Sequence, residues 1–78
     1  MDKVQKFLSR LDAKLRKRLE RALQQLIAGE WNSLDVKYLT GKKGLLRCRV
    51  GQVRIIFART TTGIIVTDIG FRGGMYKK

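Results

Sequence analysis

Hydrophobic residues in the first third of the chain recur at the spacing of an amphipathic helix. Between Asp2 and Ala28 the apolar positions step by three or four residues, the period at which side chains share one helix face. Ser9 and Asp12, both residue types that cap helix N-termini, lie in the middle of this run. Gly29 follows its last apolar position and suits a left-handed C-terminal cap. The pattern therefore predicts a helical hairpin that ends at Gly29.

The second half of the chain changes to the two-residue period of β-strands. Three runs rich in Val, Ile and Phe are separated by turn residues: 45–50, 53–59 and 64–70. The connection at 30–44 is predicted to be irregular, with four apolar residues that anchor it on the core: Trp31, Leu34, Val36 and Leu39. The fold prediction is α+β, one domain over residues 1–78, with an N-terminal helical hairpin packed on one face of a three-stranded antiparallel sheet.

A type II′ turn at Gly51-Gln52 would fix the register of the first two strands. One face then carries only apolar residues, which suits it to the helices: Leu46, Cys48, Val50, Val53, Ile55 and Phe57. The other face carries Arg47, Arg49 and Arg54, with Arg49 directly across from Arg54. Like charges directly across from each other destabilise a sheet by about 0.2–1 kcal/mol. A phosphate bound by both guanidinium groups would make the same arrangement stabilising. The alternative is that the side chains splay into water and their repulsion is screened by salt.

The net charge points to a polyanionic partner. The chain has 18 Lys and Arg against 6 Asp and Glu, a formal net charge of +12, which favours nucleic acid. Asp68 is the single acid after residue 40, so most arginines of that half are expected to face solvent or an anionic ligand. The alternative is a solvated basic surface that keeps the protein soluble.

The residue inventory excludes several classes of chemistry. The chain contains no histidine, which rules out Ser-His-Asp, Cys-His and His-metal catalysis. Its single cysteine, Cys48, can form no internal disulfide and is predicted to be a small core residue rather than a nucleophile. We see no apolar run that resembles a signal peptide or a membrane span, so we expect a protein of the reducing cytoplasm with no membrane partner.

Two ordered stretches resemble the RelE/ParE toxin superfamily. One is LLRCRVGQVRIIF, followed ten residues after its end by DIGFRGGMY. The other is the segment FLSRLDAKLRKRL with LDVKYLTG, which resembles the first half of these proteins. The resemblance implies the toxin of a type II toxin-antitoxin system. In the RelE branch this would be a ribosome-dependent endoribonuclease, an mRNA interferase that inhibits translation, with mRNA, the ribosome and a cognate antitoxin as partners.

The resemblance also implies a set of site residues. The catalytic positions fall on Arg54, Arg72 and Tyr76. The positions that would bind RNA are all basic: Arg47, Arg49, Lys42, Lys43 and Lys77. Such a set suits attack of a ribose 2′-hydroxyl on the adjacent phosphate, because fixed cations stabilise charge that builds on the phosphate oxygens. No metal or other cofactor is expected.

Two features depart from the superfamily pattern. Arginine is a poor general base, so Tyr76 would need a lowered pKa or the ribosome would supply the base. This favours the alternatives of a ParE-like toxin that inhibits DNA gyrase by binding, or an inactive nucleic-acid-binding relative. Members also begin with a strand, whereas here the helical pattern starts almost at Met1. The sheet edge left open would accept an antitoxin segment or a second copy of the chain.

Overall fold

The computed structural model describes residues 3–39, 41 and 44–71. Two helices precede four strands along the chain: α1 Lys3–Ser9, α2 Ala13–Ala28, β1 Asp35–Tyr38, β2 Leu45–Val50, β3 Val53–Thr60 and β4 Gly63–Phe71. No helix in the described part of the chain is long and apolar enough to cross a membrane.

The helical hairpin predicted from the sequence is confirmed. Asp12 is the N-cap of α2 through its extended backbone, with φ −67° and ψ 162°, and its carbonyl accepts a hydrogen bond from the Arg16 amide at 3.0 Å. Its side chain makes no capping hydrogen bond. Gly29 ends α2 at φ 80°, where the amides of Gly29 and Glu30 bond back to the last helical carbonyls. This left-handed conformation is the reason for a glycine at this position.

The sheet has four strands, so the prediction of three strands is wrong. Its order is β1-β2-β3-β4, with every neighbouring pair antiparallel. The additional strand, β1, lies within the segment 30–44 that was predicted to be irregular. Its four residues, Asp-Val-Lys-Tyr, carry one β-branched side chain, and pairing with β2 supplies the stabilisation that so weak a local preference lacks.

The predicted β2–β3 hairpin has the expected register. Val50 pairs with Val53, Arg49 with Arg54 and Cys48 with Ile55. Gly51 has φ 59°, and no described residue other than glycine has a positive φ. A positive φ at the first loop residue alone agrees with a type II′ turn.

The hydrophobic core lies between the helices and one face of the sheet. Its fully buried side chains come from both layers: Phe57, Leu19, Leu26, Ile55, Val53 and Cys48. Trp31, Leu34 and Val36 pack against this core, as expected for anchors of the connection. The Trp31 ring meets Phe57 edge-on at 5.5 Å, and its Nε1 donates to the Leu26 carbonyl at 3.0 Å. The helices therefore cover one face, and the other carries the arginines of β2 and β3 together with the buried Ile56.

The first described element is a helix, and no strand precedes it among the described residues. The open edges of the sheet are β1 and β4. At β4, the Lys3 ammonium lies 3.5 Å from the Asp68 carboxylate and 3.5 Å from the Thr67 carbonyl. Thr67 is also the extra residue of a β-bulge opposite Ile56, and bulges discourage strand addition. Self-association at an edge stays a prediction.

Candidate nucleic-acid interface

The sheet face turned away from the helices carries a cluster of three arginines, which we call the arginine face: Arg47, Arg49 and Arg54. Strand alternation places these residues on this face, because their neighbours Cys48, Val50 and Val53 are buried in the core. Arg49 and Arg54 are direct cross-strand partners, which puts their Cβ atoms about 5 Å apart. The side chains of Arg49 and Arg54 therefore project next to each other from the same face of the sheet.

One carboxylate holds two of these arginines. Asp35 Oδ2 lies 3.4 Å from Arg47 Nη1 and 3.4 Å from Arg49 Nε, and Arg47 Nη1 also donates to the Asp35 carbonyl at 3.3 Å. The expectation that these arginines face only solvent or an anionic ligand is therefore wrong for Arg47 and incomplete for Arg49. The expectation failed because the paired acid, Asp35, is on β1, the strand that sequence reasoning missed. The expectation had considered only acids after residue 40.

The arginine face keeps an excess of positive charge after this pairing. The strand register also places Asp68 on this face, opposite Ile56, so two carboxylates share it with three guanidinium groups, and guanidinium is charged at every physiological pH. Arg47 has only 13% of its side chain exposed, so Asp35 mainly compensates a cation that the sheet has taken out of water. Arg49 is 39% exposed and Asp35 40% exposed. An incoming anion can therefore reach Arg49 at the open side of the cluster.

Arg54 lies on β3, an inner strand of the sheet, one residue after the strand begins. Its side chain is half-buried, and its Nε atom is buried. Its partner on β4 is Gly70, which brings no side chain beside the guanidinium. The next pair along β4 is Phe71 with Val53, and Arg72 is bonded directly to Phe71. The last described residue of β4, Phe71, is thus one residue beyond the position that faces Arg54.

Five of the predicted site residues lie outside the described part of the chain: Arg72, Tyr76, Lys42, Lys43 and Lys77. Their assignment stays a prediction. Among the described residues, sequence reasoning missed Asp35, the carboxylate that pairs with Arg47 and Arg49. A signal was present, because Asp35-Val36-Lys37-Tyr38 alternates polar and apolar residues with the period of a strand.

Two comparisons with known proteins found no similarity: no protein-family model and no curated protein matches the chain. Among solved structures, a chain of the RelB-RelE antitoxin-toxin complex from Methanococcus jannaschii superimposes with a TM-score of 0.74. The alignment covers 91% of this chain and 86% of that chain at 25% sequence identity. This chain has the fold of a chain in that antitoxin-toxin complex. The likeness extends over helices and sheet together, and it supports membership of a toxin-antitoxin system.

The remaining reactive group of this region is the Cys48 thiol, directly behind the arginine face. Burial and, to a smaller extent, the negative charge of Asp35 together raise its pKa to about 11, although the positive charge of Arg47 partly offsets them. The thiol is therefore protonated at neutral pH and is not a nucleophile, which agrees with the prediction of a core residue. In the described part of the chain, no three side chains of the metal-binding types lie close enough to hold an ion.

Proposed function

We propose that the chain is the toxin of a toxin-antitoxin pair and that its arginine face binds mRNA and cleaves it on the ribosome. The observation that carries the proposal is the placement of Arg49 beside Arg54, on a face where three guanidinium groups outnumber the carboxylates of Asp35 and Asp68. Such an excess of like charge destabilises a sheet. A phosphodiester stabilises it, because each guanidinium fork can donate two hydrogen bonds to its oxygens. The neighbour's antitoxin-toxin complex supports a cognate partner protein.

The chemistry that suits this site is transesterification within the RNA strand. The ribose 2′-oxygen forms a bond to the adjacent phosphorus, the bond from phosphorus to the 5′-oxygen breaks, and the products are a 2′,3′-cyclic phosphate and a 5′-hydroxyl. Negative charge builds on the non-bridging oxygens, where each fixed donor is worth about 10²–10³ in rate. Arg54 and Arg72 bind the phosphate. Arg49 stabilises the negative charge that develops on its oxygens, and the more deeply buried Arg47 adds to that electrostatic stabilisation.

Two proton transfers complete the reaction. The 2′-hydroxyl loses its proton to a base, and the leaving 5′-oxygen gains one from water. Tyr76 serves as that base only if neighbouring cations lower its pKa from an ordinary value of about 10. Otherwise a group of the ribosome accepts the proton, which would make cleavage depend on the ribosome.

The test is to map mRNA 5′ ends after induction of the protein in cells and in a purified translation reaction. We expect discrete cuts within codons for the wild type and weaker cutting for Arg72→Ala and Tyr76→Phe. Lys78→Ala, which removes one positive charge and is not among the proposed site residues, is the matched control and should cut like the wild type. Equal cutting by all four proteins would remove Arg72 and Tyr76 from the mechanism.

A non-nucleolytic toxin is the second candidate, and the position of Asp35 favours it. This carboxylate already forms ion pairs with Arg47 and Arg49. Arginine is also a poor general base. Such a toxin would inhibit its target, DNA gyrase in the ParE branch, by binding alone. Intact message together with loss of gyrase supercoiling in the same extracts would favour this candidate over the nuclease.

Replacing Asp35 with asparagine is expected to strengthen RNA binding. The change removes a negative charge that competes with phosphate for Arg49, and an interaction between unit charges at 4 Å in water is about 1 kcal/mol, or about fivefold in affinity. Removing this counter-charge from Arg47 should lower the free energy of unfolding by about 1 kcal/mol. Fluorescence anisotropy with a labelled single-stranded RNA measures the affinity, and urea unfolding measures the stability.

The control for this experiment is Glu30→Gln, which changes the net charge equally at an exposed position just after α2. It should bind RNA nearly as the wild type does. Weaker binding by Asp35→Asn would contradict the competition model and would show that Asp35 acts by holding the arginine side chains in place.

A further inference from the structure

A second cationic surface lies between α2 and the β1–β2 side of the sheet. It is a groove of about 420 Å³ that we call the basic groove, and its cations are Lys17, Arg18, Arg21 and Arg49. Asp35 is the one carboxylate among its described lining residues. None of the sequence motifs points to this groove, because its charges come from a helix and a strand far apart in the sequence.

The three helical cations of the groove are poorly explained by folding. All three are exposed, and none forms an ion pair with a carboxylate of the described residues. Lys17 and Arg21 are four residues apart, a spacing at which like charges on a helix destabilise it. The Arg18 guanidinium lies over the β2–β3 turn, where a Cβ added to Gly51 would be 3.5 Å from its Nη1 atom. Three cations therefore line one wall without charge compensation.

The basic groove continues into the arginine face through Arg49, which belongs to both. This is possible because β1 begins at Asp35, directly opposite Arg49. No β1 residue therefore lies beside the end of β2 after Arg49. Arg49 therefore lies at a corner of the sheet, with Arg54 on one side and the α2 cations on the other. An extended polyanion that contacts Arg54 can pass this corner and enter the groove.

The groove offers little to an apolar ligand. Its hydrophobic lining residues are Ala22 at 3% exposure, Val50 at 8% and the half-buried Leu34, and all three pack in or against the core. Protein partners usually depend on a few buried apolar or aromatic anchors, and these residues leave scant surface for one. Positioning contacts to nucleic acid are made instead by Lys and Arg on phosphate oxygens.

We propose that the basic groove binds the ribose-phosphate backbone of the RNA strand on one side of the phosphate held by the arginine face. This inference rests on the proposed function, since it extends the path of the same RNA. Lys17, Arg18 and Arg21 are positioning residues in this scheme. They fix the register of the strand through sequence-independent contacts, so that the scissile phosphate stays between Arg49 and Arg54.

The experiment compares two triple variants of the full chain. The groove variant is Lys17→Gln, Arg18→Gln and Arg21→Gln, and the control of equal charge is Lys3→Gln, Lys6→Gln and Arg10→Gln, at exposed positions of α1 and the turn after it. Binding to a labelled single-stranded RNA is measured by fluorescence anisotropy over a series of salt concentrations. Circular dichroism verifies that both variants are folded.

The expected result is a change in salt dependence. Each phosphate contact contributes about 0.7 to the slope of log affinity against log salt for a single strand, so the groove variant should lose about 2 from the slope and the control much less. A wild-type slope for the groove variant, or an equal loss in the control, would overturn the proposal. So would wild-type RNA binding by the groove variant combined with loss of binding to a poly-glutamate peptide, because an acidic protein would then be the ligand.

Failure of the proposed function is visible separately. Wild-type protein is assayed for cleavage of ribosome-bound mRNA alongside the binding series. Uncut message together with a reduced slope for the groove variant would remove the nuclease and support the groove as an RNA site. Cut message with an unchanged slope would support the nuclease and remove the groove.

Discussion

Arg54→Gln is expected to lower ribosome-dependent cleavage of mRNA by about 100-fold or more. Arg54 is at the centre of the arginine face, with Arg49 across one strand boundary and Gly70 across the other. Loss of one fixed donor to a developing oxyanion costs about 10²–10³ in rate, and glutamine keeps most of the side-chain volume. The measurement is the initial rate of cutting in a purified translation reaction, at equal concentrations of folded protein.

The matched control is Arg59→Gln, because Arg59 is on the same strand but on the opposite face, where its guanidinium lies 5.0 Å from the centre of the Trp31 ring. It removes the same charge and should leave the cleavage rate within a few-fold of wild type. Arg54→Lys separates charge from geometry: it should retain RNA binding and lose most of the rate, because an ammonium group lacks the planar fork. If Arg54→Gln and Arg59→Gln cut equally well, the arginine face is not the catalytic surface.

Phe57→Ala is expected to lower the free energy of unfolding by about 3–5 kcal/mol. Phe57 is fully buried between the sheet and α2, in edge-on contact with Trp31. Removing a buried phenylalanine side chain leaves a cavity that costs about this much. A domain of this length has a total stability of only about 4–12 kcal/mol, so the variant should lose a large part of its stability. Urea unfolding followed by far-ultraviolet circular dichroism measures the change.

Ile65→Ala is the comparison for this variant. Ile65 is in the same sheet but is 58% exposed, and substitutions at such positions usually change stability by no more than about 0.5 kcal/mol. Trp31 fluorescence offers a second probe of the same transition, since the indole contacts Phe57. A loss below about 1 kcal/mol for Phe57→Ala would mean that the described core is not the one that stabilises the protein.

Local patterns were sufficient for most of the fold. The break between the helices, the cap at Gly29 and the β2–β3 register all follow from residue types and spacings within short segments. The pairing of Arg49 with Arg54 follows as well, because a two-residue turn determines which residues lie opposite each other. These features depend on neighbours in the chain, and the sequence contains that information directly.

The site was predicted only in part. Arg47, Arg49 and Arg54 are brought together as expected, but the carboxylate that holds two of them was not anticipated. Asp35 belongs to a four-residue strand whose stability comes from its partner β2. The local pattern was too short to distinguish this strand from a loop, and the ion pairs depend on a pairing that no local rule supplies.

By itself, the amino-acid sequence determined which residues alternate between the core and the arginine face, because side-chain direction in helices and strands is set by backbone periodicity. Only the tertiary structure decided how much of that positive charge is available. It placed Asp35 against Arg47 and Arg49, and it brought Lys17, Arg18 and Arg21 to the same corner as Arg49. Electrostatic free energies depend on distance and burial in space, and those quantities exist only once the helices have packed on the sheet.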